Sequence, residues 1–139
     1  MILPITLTTA GAAALINLWL AMRVGRVRGA EKVSIGDGGS APLIAAMRAH
    51  ANFAEYTPFV LILIGLIELA LGSSLWLWLV AGVFLIGRVL HGLGMTGMKS
   101  GRAIGTATTF LALLGLGIVA IAIPYLTPDR IETQEVSNG

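Results

Sequence analysis

Four long apolar runs, separated by short polar breaks, dominate the chain. A helix needs about 20 apolar residues to cross the hydrocarbon core of a bilayer. The runs at 3–22, 43–71, 75–98 and 104–126 meet that length. The breaks between the later runs read GDGGSAP at 36–42, GSS at 72–74 and KSGR at 99–102. Gly72 suits the position just past a helix C-terminus. Ser40 followed by Pro42 suits an N-cap and an early-helix proline. The second run is polar in its first third, and Pro124 and Pro128 close the fourth. The expected fold is all-α: an integral membrane four-helix bundle, with residues 1–128 as one four-span domain and 129–139 as a polar, acidic tail.

Composition agrees with that pattern. Of 139 residues, 56% are hydrophobic and 12% charged, with a mean hydropathy of +0.88. A soluble domain of this size needs a polar shell that these residues cannot supply. There is no cysteine, so disulfides, thiolate metal sites and a cysteine nucleophile are excluded, and any thiol chemistry requires a thiol from outside. Two histidines without clustered carboxylates argue against a metal site. The basic residues lack an aromatic stacking platform, which argues against nucleic acid.

Charge sets the expected orientation. The net charge is only +2, but Arg23, Arg26, Arg28 and Lys32 gather after the first run, and Lys99 and Arg102 after the third. The loop at 72–74 has no charge. The positive-inside rule places the first and third loops in the cytoplasm and both termini on the opposite side, as in a bacterial inner membrane. The basic residues follow the first apolar run rather than precede it, which favours a retained span over a cleaved signal.

Polar residues inside the spans form a layer. Counted from the non-cytoplasmic end, Asn17, Glu55 and Arg88 lie roughly 22, 24 and 21 Å deep at 1.5 Å per residue. His91 is one turn nearer the cytoplasm, Asn52, Arg48 and Arg23 are nearer still, and Arg102 sits at the mouth of the fourth span. Ionisable groups within spans face a bundle interior or a wet cavity, so the shared depth predicts one polar pocket open to the cytoplasm. The plainer reading is a structural ion pair between Glu55 and Arg88. Arg23, Arg48, Arg88 and Arg102 outnumber Glu55, however, which favours an anionic ligand. Arg48, Asn52, Glu55 and Tyr56 fall on one helical stripe. His50 lies off that stripe and points toward another helix or another subunit. Arg88, His91, Met95 and Arg102 form a second stripe if the third helix continues that far.

The run RAHANFAEY at 48–56 resembles the second-helix motif of the MAPEG family, the membrane-associated proteins in eicosanoid and glutathione metabolism. VSIGDGG at 33–39 and GRVLH at 87–91 resemble its bacterial branch, which is similar to microsomal glutathione transferases. The resemblance covers essentially the whole chain. It implies a homotrimer with glutathione as co-substrate at subunit interfaces near the cytosolic side. It assigns glutathione to Arg48, Asn52, Glu55 and Tyr56, with His50 reaching a neighbouring subunit's ligand. Arg88 matches the family's third-helix arginine, and His91 and Met95 stand where some relatives have tyrosines. Arg23, Arg26 and Arg28 are candidates for a first-helix arginine. Arg102 matches the arginine that stabilises the thiolate, the nucleophilic form of the thiol.

The resulting expectation is a glutathione transferase or peroxidase, acting in detoxification on a lipophilic electrophile or lipid hydroperoxide that enters from the membrane lipids. The alternatives are a non-catalytic ligand- or lipid-binding protein of the same fold, or a small proton-coupled exporter using Glu55. Glu68, near the outer end of the second span, reads as a headgroup contact or an interhelical hydrogen bond. Thr106, Thr108 and Thr109 are expected to bond back to their own helix. Gly82, Gly87, Gly94, Gly115 and Gly117 are expected to permit close packing. GDGG at 36–39 reads as a tight turn.

Overall fold

The computed structural model describes residues 1–127, in which all regular structure is helical: α1 Pro4–Ala30, α2 Ala41–Leu71, α3 Leu75–Gly94 and α4 Gly101–Leu126. All four are long and apolar enough to cross a membrane. The polar tail expected at 129–139 lies outside the described residues. Large apolar side chains such as Leu15, Phe59, Ile86, Leu111 and Ile121 are exposed on the bundle surface. That distribution suits lipid as the solvent.

Two helix ends depart from the apolar runs. α1 continues eight residues past Met22 to Ala30, because residues 23–30 contain no proline and three arginines, which are good helix formers. α3 stops at Gly94, with Met95 as its C-cap, although apolar residues continue to Met98. The chain turns at residues 95–97, where Gly97 has φ 152°. The second stripe expected on the third helix is therefore broken. Arg88 and His91 remain on α3, Met95 ends it, and Arg102 lies in the first turn of α4.

The other ends follow local chemistry. Ser40 caps α2, accepting from Leu43 N–H at 3.3 Å, with Pro42 in the first turn. The preceding turn is closed by Asp37, whose carboxylate accepts from Gly39 N–H at 2.9 Å. Gly36, Gly38 and Gly39 all have positive φ, a conformation glycine adopts without penalty. Gly72 ends α2 with φ 82°, its N–H donating to Glu68 O at 2.8 Å. At the same end, the buried Glu68 carboxylate serves α1. It accepts from the N–H groups of Ile5 and Thr6 at 3.0 and 2.8 Å, from Thr6 Oγ1 at 2.6 Å and from Ser73 Oγ at 2.7 Å. Leu3, the N-cap of α1, supplies no side-chain acceptor, so Glu68, 62 positions beyond Thr6 in sequence, does so.

The interior is apolar toward that end. Ile5, Val60, Ile64, Leu77, Phe84 and Leu116 join all four helices in one buried cluster there, and Ala13, Leu20, Ala49 and Phe53 form a second between α1 and α2 nearer the basic loops. α3 and α4 share the largest interface, and they approach closest at the end carrying the basic loops. A methyl group on Gly105 would overlap the Gly87 carbonyl and His91, and one on Gly94 would overlap the backbone at Gly101–Arg102. Among the described residues, Gly82, Gly115 and Gly117 meet nothing within 4 Å, so the expected close packing is found within the chain at Gly87 and Gly94 and not at these three. Toward the opposite end the two helices leave an open apolar groove of about 450 Å³ lined by Trp76, Val83, Leu111 and Gly115.

Candidate functional site

The stripe on α2 has the expected geometry. Arg48 and Glu55 lie on one face, with Arg48 Nη1 4.0 Å from Glu55 Oε1 and their side chains 60% and 54% exposed. Asn52 and Tyr56 are half-buried between α2 and the helices behind it. Tyr56 meets Phe110 of α4 edge-on, with ring centroids 5.8 Å apart. Pro58 follows two residues after Tyr56. It has no N–H to offer the carbonyl of Ala54, so the stripe ends where the helix ladder is interrupted.

Arg88 does not pair with Glu55. It is 1% exposed and donates from Nη1 to Thr109 Oγ1 at 3.1 Å and from Nη2 to Asn52 Oδ1 at 2.7 Å. Its guanidinium lies 5.8 Å from the centre of the Phe53 ring, and Nε is buried without a partner. Among the described residues, the acid that forms an ion pair is Glu55, and its partner is Arg48. Helical periodicity places Glu55 and Arg88 at similar heights but leaves their facing open, and the faces differ.

His50 leaves the stripe as expected, and its Nε2 lies 2.9 Å from Asn17 Oδ1 of α1. Arg23 is engaged at the end of α3, donating to Gly92 O at 2.9 Å and to Thr96 Oγ1, with its guanidinium 4.8 Å from the centre of the Trp19 ring. A cation there complements the exposed carbonyls of a helix C-terminus. Arg28 instead holds the first loop through Gly36 O at 2.7 Å. His91 is buried, with Nδ1 unpartnered, against the glycine contact of α3 and α4. Arg102 is exposed, and among the described residues no carboxylate pairs with it. Its helix starts with no acidic residue and no side-chain cap, so the partial positive charge of a helix N-terminus is left without a side-chain counter-charge in the turn that carries this guanidinium.

The polar layer therefore does not close into one pocket within the chain. It divides into Arg48–Glu55 on the surface, Asn17–His50 between α1 and α2, and Arg88–Asn52–Thr109 in the interior. The cavity bordered by Asn52, Tyr56, Arg88, Thr106, Thr109 and Phe110 measures about 20 Å³, the size of one water site. No three histidine or carboxylate side chains converge among the described residues. Thr109 was legible only in part. Its hydroxyl donates to Gly105 O at 2.8 Å, as expected of a helix threonine, and Thr108 does likewise at 3.1 Å. That Thr109 also accepts from a buried arginine depends on how α3 packs against α4, which no local pattern encodes.

The sequence pattern of the MAPEG family matches residues 6–122. The chain is also similar to inner membrane protein YecN of Escherichia coli K12 and to the protein of the same name in E. coli O6:H1. Each is 33% identical over 104 residues, covering 73% of this chain and 79% of the relative.

Proposed function

The chain belongs to the MAPEG family of membrane proteins, and on that premise we propose that it is a glutathione transferase with peroxidase capacity, acting as a homotrimer on lipophilic electrophiles or lipid hydroperoxides. One observation carries the proposal. Arg48 and Glu55, on a helix of membrane-spanning composition, are both more than half exposed, beside Asn52 and Tyr56. A charged pair on a span is unfavourable against lipid, and the chain's own small cavity cannot admit a tripeptide. A second copy placed over this face completes a pocket and removes the pair from lipid. His50 and Asn17, on the neighbouring face, then border the adjoining site. In such a pocket Arg48 takes a carboxylate, Glu55 takes the ammonium, and Asn52 takes a peptide group.

The chemistry falls to Arg102. A guanidinium beside the sulfur favours the thiolate over the thiol, and the uncapped start of α4 adds partial positive charge. With an alkylating electrophile, the sulfur forms a bond to carbon while a leaving group departs with the bonding pair, or the neighbouring carbon takes a proton. With a hydroperoxide, the sulfur attacks oxygen and the O–O bond breaks. The alkoxide is protonated to an alcohol, and the resulting sulfenic acid reacts with a second glutathione to give disulfide and water. The site faces the cytoplasm in this reading, because the positive-inside rule places the basic loops there.

A non-catalytic binding protein is the second reading, favoured by Met95, a thioether at the end of α3 that cannot donate a hydrogen bond. The test is turnover of several electrophiles and one lipid hydroperoxide by the purified protein, with and without glutathione. Glutathione-dependent turnover supports the enzyme. Saturable binding without turnover supports the second reading.

A further inference from the structure

Arg88 is a buried cation whose two hydrogen-bonded nitrogens both go to neutral acceptors. A guanidinium only donates. The Asn52 atom 2.7 Å from Nη2 is therefore the amide oxygen, since turning the amide would set N–H against N–H and leave two buried donors unmade. Asn52 therefore turns its NH₂ group away from Arg88, while its oxygen, which has a second lone pair, is held on the arginine side. On the other side of the fork Thr109 accepts from Arg88 at 3.1 Å and spends its one O–H on Gly105 O at 2.8 Å. The bonds thus run from the α4 backbone, one turn beyond Arg102, through α3 to the α2 stripe. The α4 end of this chain is rigid, since Gly105 sits in backbone contact with Gly87 and against His91.

We propose that Arg88 is a positioning residue: by holding the amide oxygen of Asn52 it commits Asn52 to hydrogen-bond donation, so that the site selects, at that point, a ligand carrying a carbonyl or carboxylate oxygen rather than an N–H or O–H group. The inference rests on the α2 stripe being the thiol-peptide site proposed above. It differs from a direct ligand role for Arg88, whose guanidinium is enclosed and engaged on both arms. It also differs from a purely structural role, because it makes the effect of Arg88 on binding depend on Asn52.

The experiment is a double-mutant cycle on the full-length detergent-purified protein, comparing wild type, Asn52→Ala, Arg88→Met and the double variant. Glutathione affinity and thermal midpoint are measured for each. Methionine fills the stem volume of arginine without bringing a buried charge. Arg88→Lys serves in its place if the methionine variant does not fold, since one ammonium cannot reproduce the fork to both Thr109 and Asn52. Each single change is expected to weaken glutathione binding about tenfold, and the double change no further than that. Asn52→Asp is expected to keep the thermal midpoint at or above that of the wild type, by forming an ion pair with Arg88, while losing glutathione binding. Multiplying losses in the double variant, or wild-type affinity in Asn52→Asp, overturn the proposal. Failure of the wild type to bind glutathione contradicts the proposed function instead. The Arg88–Asn52 lock is then decided by the thermal midpoints, where fully additive shifts overturn it.

Discussion

Glu68 and Arg102 show how differently two ionisable residues can serve one small membrane protein. Glu68 is 2% exposed and accepts four hydrogen bonds, three of them from the first turn of α1. It does for α1 what an N-cap side chain does elsewhere, and its negative charge complements the helix dipole. Glu68→Gln keeps the shape but replaces one accepting oxygen by a donor facing other donors. A loss of about 1–3 kcal/mol is expected, seen as a lowered thermal midpoint with glutathione affinity unchanged. Arg102 is exposed and has no carboxylate partner among the described residues. Arg102→Met is therefore expected to leave the thermal midpoint in place and to lower turnover by about tenfold or more, the scale of one removed electrostatic contact to the reacting atom. Loss of the thiolate absorbance of bound glutathione in the same variant checks the cause.

The elements were legible where hydropathy and capping coincide and obscure where they do not. The Ser40–Pro42 start and the Gly72 end of α2 follow from local residue chemistry alone. The end of α3 does not, because apolar residues continue past Gly94 and only the glycine turn at 97 interrupts them. The same limit governed the site. Periodicity placed Arg48, Asn52, Glu55 and Tyr56 on one stripe, which the structure retains. Helix depth suggested that Glu55 and Arg88 meet. Depth fixes height on a bundle but not which neighbour a face meets, and Arg88 instead faces Asn52 and Thr109. The α3–α4 contact has its own test. Gly105→Val is expected to destabilise the protein by about 3 kcal/mol or more, since a side chain there overlaps the Gly87 backbone and His91. The Gly117→Ala change, in open space, is expected to have little effect on the thermal midpoint.

For the whole molecule, the distribution of polar groups points outward from a single chain. The interior is filled at one end by an apolar cluster from all four helices and at the other by a smaller apolar cluster between α1 and α2, glycine contacts and a water-sized cavity. The charged pair of the α2 stripe lies on the surface, and a second copy is the proposed cover for it. The mass of the detergent-solubilised protein is expected to correspond to three chains. A bifunctional cross-linker bridging a cysteine introduced at Ala51 to one introduced at Asn17 of another copy is expected to trap the contact.

The measurement that bears most directly on the central claim is a calorimetric titration of glutathione into the purified protein, repeated with Arg48→Ala and with Glu55→Gln. Saturable binding by the wild type, abolished or weakened at least tenfold by both changes while their thermal midpoints stay near that of the wild type, is the predicted result. A folded, oligomeric wild type that binds no glutathione, or variants that bind it as tightly as the wild type, would contradict the account and leave the RAHANFAEY stripe with a different ligand or none.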